Sequence, residues 1–306
     1  MNQRTVTTVI DPEKCIGCGA CVRVCPSDTI TVVDGTARVT GDKSLSCGHC
    51  MGVCPENAVR VKALDKEMSR FDTFDLNPDW MGFGEFSTPD LVRLMASRRS
   101  CRNFKDKPVE KEVLNDLIKT GALAPSGTNS QAWTFTCLPD REAVLDFAGL
   151  IKDFFIRLNK KAKNPLLRKG LRLLGKTELD DYYNEYYEST QTAMEEMENH
   201  QIDRLFHGAP ACILIGSDPT ASCPGEDALL AASHVLLSAH AMGLGSCLIG
   251  FAVAAMKSDR QIQKKMNIPG KENIYAVIAL GYPDEYYLRI TGRKKPVVRF
   301  RPAPKV

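Results

Sequence analysis

Twelve of the 306 residues are cysteines, and seven of these crowd between Cys15 and Cys54. Their spacing is regular. Cys15, Cys18, Cys21 and Cys25-Pro26 follow one another as C-x2-C-x2-C-x3-C-P, and 29 residues further on Cys47, Cys50 and Cys54-Pro55 repeat the pattern, with Ser44 where its first cysteine would stand. The two halves align without a gap, so the segment is a duplicated unit. Thiols this closely and repeatedly spaced suit metal as thiolates, and in a reducing compartment they do not pair as disulfides. A second concentration of chemistry lies at Arg98, Arg99, Ser100 and Arg102, where three guanidinium groups and a hydroxyl fall within five residues. Planar, forked N–H donors at this density suit the capture of a phosphate.

The cysteine pattern resembles that of bacterial ferredoxins over roughly residues 8–62. In such domains three closely spaced thiolates wrap three corners of an iron–sulfur cubane, and the cysteine before proline crosses to the other cluster. The resemblance implies two clusters. Cys15, Cys18, Cys21 and Cys54 would hold the first as 4Fe-4S, while Cys47, Cys50 and Cys25 would hold the second, with Ser44 at its fourth position. Serine offers a hard oxygen where iron takes thiolate, which leaves three forms open: a Ser-ligated 4Fe-4S cluster, a 3Fe-4S cluster, or 4Fe-4S with an exchangeable ligand. A zinc ribbon would instead show two C-x2-C pairs and no C-P cysteines. His49, beside Cys50, reads as a loop histidine facing water.

The arginine cluster belongs to a wider pattern. Arg98-Arg99-Ser100-Cys101-Arg102-Asn103-Phe104, Pro108-Val109 and Ala124-Pro125-Ser126-Gly127-Thr128-Asn129-Ser130-Gln131-Ala132-Trp133 resemble the first two motifs of the FMN-dependent nitroreductase family. The likeness continues through His207-Gly208-Ala209-Pro210 and Gly243 to Gly250, then Gly281-Tyr282-Pro283 and Arg293-Lys294-Lys295-Pro296, and so covers most of residues 87–300. It implies a homodimer with one FMN at each subunit boundary. Arg98, Arg99, Ser100 and Arg102 take the positions that hold the FMN phosphate and ribityl chain, joined by Arg293. Pro125, Ser126 and Asn129 take those of a loop that reaches the partner subunit's flavin. Leu248, Ile249 and Gly250 match the segment under the isoalloxazine edge, where a backbone N–H can donate. Ala132 stands where the family often has proline. Gly243-Leu244-Gly245 fails as a dinucleotide fingerprint, because Leu248 occupies the place of its last glycine.

The elements that must position these residues are partly legible. Thr29–Val33 and Ala37–Thr40 flank Asp34-Gly35, a hairpin signal. From Ser87 onward, amphipathic helices alternate with short apolar strands, as in an α+β domain. Thr88-Pro89 reads as a helix start with Thr88 as N-cap, delivering the arginines at the far end. The fold expected is α+β: a small ferredoxin-like domain over 1–70, an ordered, aromatic-rich linker over 71–86, and a nitroreductase-like α+β sandwich over 87–306. Residues 151–206 within it form a helical insertion or lid, basic in its first half and tyrosine-rich in its second. Tyr182, Tyr183, Tyr186 and Tyr187, at helical spacing, read as packing.

A net charge of +3 gives no global field toward nucleic acid. Residues 228–256 carry no charged side chain, yet they include His234, His240 and three glycines, so a buried helix turning into a buried strand fits better than a membrane span. The stretch Met1–Ile10 lacks the basic and apolar regions of a secretory signal, and a cytoplasmic location is expected. The function expected is electron transfer from the clusters to FMN and on to a small oxidised acceptor, nitroaromatic- or quinone-like. Reduced ferredoxin or NAD(P)H are the candidate donors, and no side chain stands out as a catalytic acid or base. The alternative is an adaptor between one- and two-electron protein partners.

Overall fold

The structure is a computed structural model and describes residues 5–301. The N-terminal unit contains β1 (Thr8–Ile10), α1 (Ala20–Arg23), β2 (Ile30–Val33), β3 (Thr36–Val39), α2 (His49–Gly52) and β4 (Val59–Val61). The repeat read in the sequence is a pseudo-two-fold in space. β2 pairs antiparallel with β3 through Ile30↔Val39 and Val32↔Ala37, and β1 pairs with β4 through Ile10↔Val59 and Thr8↔Val61. Shifting by the same 29 residues carries one register onto the other. The Asp34-Gly35 turn has φ of 50° and 75°, the left-handed pair that a two-residue hairpin requires. Gly19 and Gly48, at φ 72° and 76°, begin α1 and α2 in equivalent places. A side chain at Gly17 would run into the Gly35 carbonyl, so only glycine lets the first cysteine run pass the hairpin. A small core of its own, built on Ile30, Ala37, Val59, Val61, Cys21 and Cys50, holds the unit together.

A 3₁₀ turn at Lys66–Ser69 leads into the connecting segment. Its first part is tied down: Phe71 and Phe74 stack at 4.5 Å, and the buried Asp116 carboxylate accepts from Asp72 N (2.9 Å), Thr73 N (2.8 Å) and Thr73 Oγ1 (2.7 Å). Its second part differs from the expectation of packed aromatics, since Trp80 and Phe83 are 82% and 100% exposed.

The larger unit begins with α3 (Thr88–Ser97). Its N-cap is Ser87, whose hydroxyl accepts from Asp90 N, and not Thr88; the helix starts one residue earlier than expected because serine is the better N-cap of the two. Then follow α4 (Lys111–Gly121), β5 (Trp133–Leu138), α5 (Arg141–Ala162), α6 (Pro165–Leu173), α7 (Glu178–Glu185), α8 (Tyr187–His200), β6 (Ala211–Ser217), α9 (Pro224–Ala241), β7 (Gly245–Leu248), α10 (Gly250–Ser258), α11 (Arg260–Lys265) and β8 (Asn273–Gly281). The strands form one antiparallel sheet in the order β5-β6-β8-β7. Both faces are covered. Ala211, Ile213 and Ile215 of β6 turn toward α4 and α9, while Cys212 and Leu214 turn toward α5 and α10, the period-two alternation of a strand buried on both sides. The uncharged stretch 228–256 is α9, β7 and α10 around this sheet, and among the described residues no helix is long and apolar enough to cross a membrane.

The insertion grows out of α5, which passes residue 151 without a break. Tyr182 stacks near Phe155 and Tyr186, its hydroxyl donates to Asn159 Oδ1 at 2.6 Å, and Phe251 closes the aromatic group. These tyrosines pack.

Candidate functional site

The cysteines separate into the crossed sets that the ferredoxin resemblance implies. One small cavity is lined by Cys15, Cys18, Cys21 and Cys54, and another by Cys25, Cys47, Cys50 and Ser44; they are alike in size, about 20 Å³ each. Among the described residues no three His, Cys, Asp or Glu groups converge as a single-ion site requires. Backbone N–H groups point at the sulfurs: Ala37 N donates to Cys15 Sγ at 3.3 Å, Thr29 N to Cys25 Sγ at 3.4 Å and Ala58 N to Cys54 Sγ at 3.2 Å. The last two are repeat-equivalent. Such bonds stabilise thiolate sulfur. Burial pushes the Cys21 and Cys50 thiols up, a bias that a bound cationic iron would reverse. Ser44 lines its cavity, and its hydroxyl accepts from Ser46 N at 3.1 Å. Soft sulfurs with N–H donors around paired cavities fit iron–sulfur clusters. His49 is exposed at the rim, as expected, but it opens α2 and is not in a loop.

A cavity of about 740 Å³ opens where α3 ends. Arg93, Arg98, Arg99 and Arg289 line it with His240, Leu244, Ser246, Tyr286, Leu288 and Ile290, and Glu285 is the one carboxylate. Four guanidinium groups against one acid leave a site suited to a phosphate, and the apolar lining suits a flat organic body of cofactor size. Glu285 remains anionic: burial opposes this, but bonds from Tyr287 and Asn103 hold its carboxyl below the ordinary range. Ser100 is not among the residues lining the cavity; its backbone is bridged to Ser246 of β7, which is. Arg102 is exposed nearby and helps lower the His207 pKa, which burial lowers most. Arg293 does not join the others within the chain; its guanidinium donates to Thr291 O and Gly292 O on an exposed arm.

Leu248, Ile249 and Gly250 turn from β7 into α10. Ile249 N is committed to Val277 O at 2.8 Å, so the N–H groups free to meet a ligand are those that open α10, at Gly250 and Phe251. Leu248 is 49% exposed beside them.

Pro125, Ser126 and Asn129 lie elsewhere, on a loop across the sheet. Thr128, Asn129 and Gln131 all take positive φ (51°, 53° and 46°), a strained run held by its surroundings. The anchor is buried Asp227 of α9, which accepts from Gly127 N and Ser130 Oγ, both at 2.8 Å. Ser126 Oγ accepts from Gln131 N. Ala132, in the place of the family's proline, uses its carbonyl to accept from Asp218 N. The Asn129 amide donates to Leu45 O (2.9 Å) and Ser46 O (3.3 Å), residues of the second cysteine cavity. Arg93, Arg289, Glu285, Asp116 and Asp227 were not singled out from the sequence, where each is an unremarkable charge without a motif around it. Asp116 is buried, which raises its pKa, yet bonds from Thr73 and Asp72 and the nearby Lys119 outweigh this and hold it below 3.8. Cys101 and Cys247 are buried thiols; burial pushes Cys101 up to about 12 and raises Cys247, so both pack as small apolar groups.

Comparison with known proteins agrees with this division. A 24% identical relative over 217 residues is 4-nitrobenzoate reductase of Pseudomonas putida, matching 65% of this chain and 87% of that protein. Iodotyrosine deiodinase of Thermotoga neapolitana is 26% identical over 203 residues, matching 64% of this chain and 89% of that protein. A nitroreductase with bound FMN from Bacteroides fragilis shares the fold with a TM-score of 0.50 at 18% identity, over 69% of this chain and 99% of that one. The model of a 4Fe-4S binding domain matches residues 8–31, and that of the nitroreductase family matches residues 95–282. The chain therefore belongs to the nitroreductase family, as an oxidoreductase that carries a 4Fe-4S ferredoxin-type domain ahead of its nitroreductase domain.

Proposed function

We propose that the protein is a homodimeric iron–sulfur flavoprotein that accepts single electrons at two clusters, gathers them at FMN and reduces a small oxidised acceptor of nitroaromatic or quinone type in the cytoplasm. The observation that carries the reading is the sorting of Cys15, Cys18, Cys21 and Cys54 around one cavity and Cys25, Cys47, Cys50 and Ser44 around its twin, in a unit bonded through Asn129 to the oxidoreductase domain. When bound, the clusters supply one-electron exchange, and FMN supplies delivery of a hydride or electron pair.

The chain's own residues bind and orient. Arg98 and Arg99, with Arg93 and Arg289, neutralise the FMN phosphate; Ser100 and Arg102 take the ribityl side, and Arg293 closes the site when its arm folds over. Leu248 and Ile249 shape the floor under the ring, and the first N–H groups of α10, from Gly250 on, offer hydrogen bonds at its edge. Pro125, Ser126 and Asn129 address the flavin of the partner subunit. The arm itself supports a dimer, since Tyr286, Leu288, Val297 and Phe300 are 86%, 82%, 79% and 91% exposed, an apolar strip with nothing from its own chain over it. The domain boundaries expected from the sequence, 1–70, 71–86 and 87–306, form part of this reading.

Anaerobic purification tests it. The protein should elute as a dimer with one FMN and about seven to eight irons per chain, and with reduced viologen as donor it should turn over nitrobenzoate or a benzoquinone. A protein free of flavin or iron, or inert toward every acceptor in a panel of nitroaromatics, quinones and enones, refutes it.

A further inference from the structure

The first cysteine cavity lies at the water-facing side of its unit: Ile16 is 63% exposed and Cys18 is the one exposed cysteine among its ligands. The second cavity faces the larger unit. Two of its wall residues, Leu45 and Ser46, accept the Asn129 amide, so the Asn129 loop and the second cavity form one contact.

That loop stands far from the phosphate cavity of its own chain. It is anchored to α9 at Asp227, whereas the phosphate cavity touches α9 at His240, and thirteen residues of helix separate the two by roughly 20 Å. It also precedes β5, while Leu248–Gly250 lie at the end of β7, and β5 and β7 are the opposite edges of the sheet, three strand spacings or about 14 Å apart. Separated along the helix and across the sheet, Asn129 and the residues that would hold the flavin in one chain cannot close around the same molecule.

Resting on the function proposed above, the geometry points to crossed delivery: the second cavity of one chain serves the flavin held by the arginines of the partner subunit, and the first cavity receives the donor. Electrons then enter at the Ile16–Cys18 edge from a low-potential one-electron donor, pass to the Ser44-bearing site, and cross the subunit boundary beside Asn129. Two such transfers, with protons from solvent, reduce one FMN fully, and two donor molecules are oxidised. Asn129 is a positioning residue in this scheme, holding the Leu45–Ser46 wall against the boundary.

Heterodimers of full-length chains carrying different affinity tags test the assignment. Arg98→Ala/Arg99→Ala disables flavin binding and Cys47→Ala/Cys50→Ala disables the second cavity. In the crossed pair one chain carries both flavin substitutions and the other both cysteine substitutions; in the uncrossed pair all four sit in one chain. Each pair retains one flavin, and its bleaching by reduced methyl viologen is followed by stopped-flow absorbance with no acceptor present. Rapid bleaching is expected in the crossed pair, and at least about tenfold slower bleaching in the uncrossed one. The reverse ranking, or equal rates, overturns the inference.

If the cysteine variant does not assemble, Asn129→Leu replaces it in dimers with one flavin. It should slow bleaching about tenfold from the flavin-free chain and far less from the flavin-bearing chain; the opposite asymmetry, or none, overturns crossed delivery. A wild-type protein that lacks flavin or iron, or that is monomeric, would instead refute the function on which this rests.

Discussion

Replacing Asp116 should loosen the junction between the two units without unfolding either. The Asp116 carboxylate is fully buried in α4 and accepts from three donors of the connecting segment, Asp72 N, Thr73 N and Thr73 Oγ1, with Lys119 Nζ 3.9 Å away. Hydrogen bonds to a charged group contribute about 1.5–3 kcal/mol each. The two backbone donors can recover water once the segment lifts, so we take the lower value for each, about 3 kcal/mol of local stability, equivalent to about a hundredfold in opening equilibrium. Asp116→Ala should therefore lower amide-exchange protection at Asp72 and Thr73 by about a hundredfold, while the protection of β6 and β8 stays unchanged. Asp116→Asn, which keeps one acceptor, should fall between. The pH dependence has a definite sign. Because the carboxyl is held below its ordinary 3.8 in the folded protein, the clamp is complete above that value and is lost as pH falls through the lowered one. Unchanged protection at Asp72 and Thr73 in the alanine variant would refute the reasoning, as would loss of protection throughout the sheet.

Arg98→Ala or Arg99→Ala should weaken FMN by about 1.5–3 kcal/mol, roughly ten- to a hundredfold, by loss of a charge-assisted bond; flavin fluorescence released on dilution measures this, and iron content should not change. Ser44→Cys should supply the absent thiolate of the second set. If the wild type shows a 3Fe-4S signal by electron paramagnetic resonance, this variant should convert it to 4Fe-4S, and persistence of the signal would separate Ser44 from its cause. Cys101, pushed up to about 12 by burial, should resist iodoacetamide at pH 8 in the folded protein and react after denaturation.

What could be read in advance depended on whether the chemistry lay in neighbouring residues. The cysteine runs carry their proposed ligand sets in identity and spacing, and two small cavities are lined by those two groups. Arg98 and Arg99 were legible because they are consecutive and end a helix. Arg289 and Glu285 were not, because they reach the same cavity from the other end of the chain in a segment without periodicity. Asp116 and Asp227 each read as one more acid on a helix, and only the sheet and the linker reveal what they bind. The aromatic count of residues 71–86 suggested packing, but Phe71 and Phe74 stack on each other beside the Asp116 clamp, while Trp80 and Phe83 stay almost wholly exposed. Composition gives the apolar area available, not the surface that covers it. The remoteness of Asn129 from the arginines is likewise a property of sheet order, which no local pattern encodes.

The large cavity has an uneven build. One side is the rigid end of α3 and β7, and the other is residues 283–291, which belong to no helix or strand. A molecule that fills it therefore acts as a tie between a wall of regular elements and a wall of irregular chain. Its binding free energy is added to the stability of the native state, by about 2.7 kcal/mol when the free ligand is at a hundred times its dissociation constant. The melting temperature of such a protein is a reading of its cofactor supply. On the function proposed above, a chain starved of flavin would lose this tie along residues 283–291 first, and with it the support of the apolar strip proposed to join two copies.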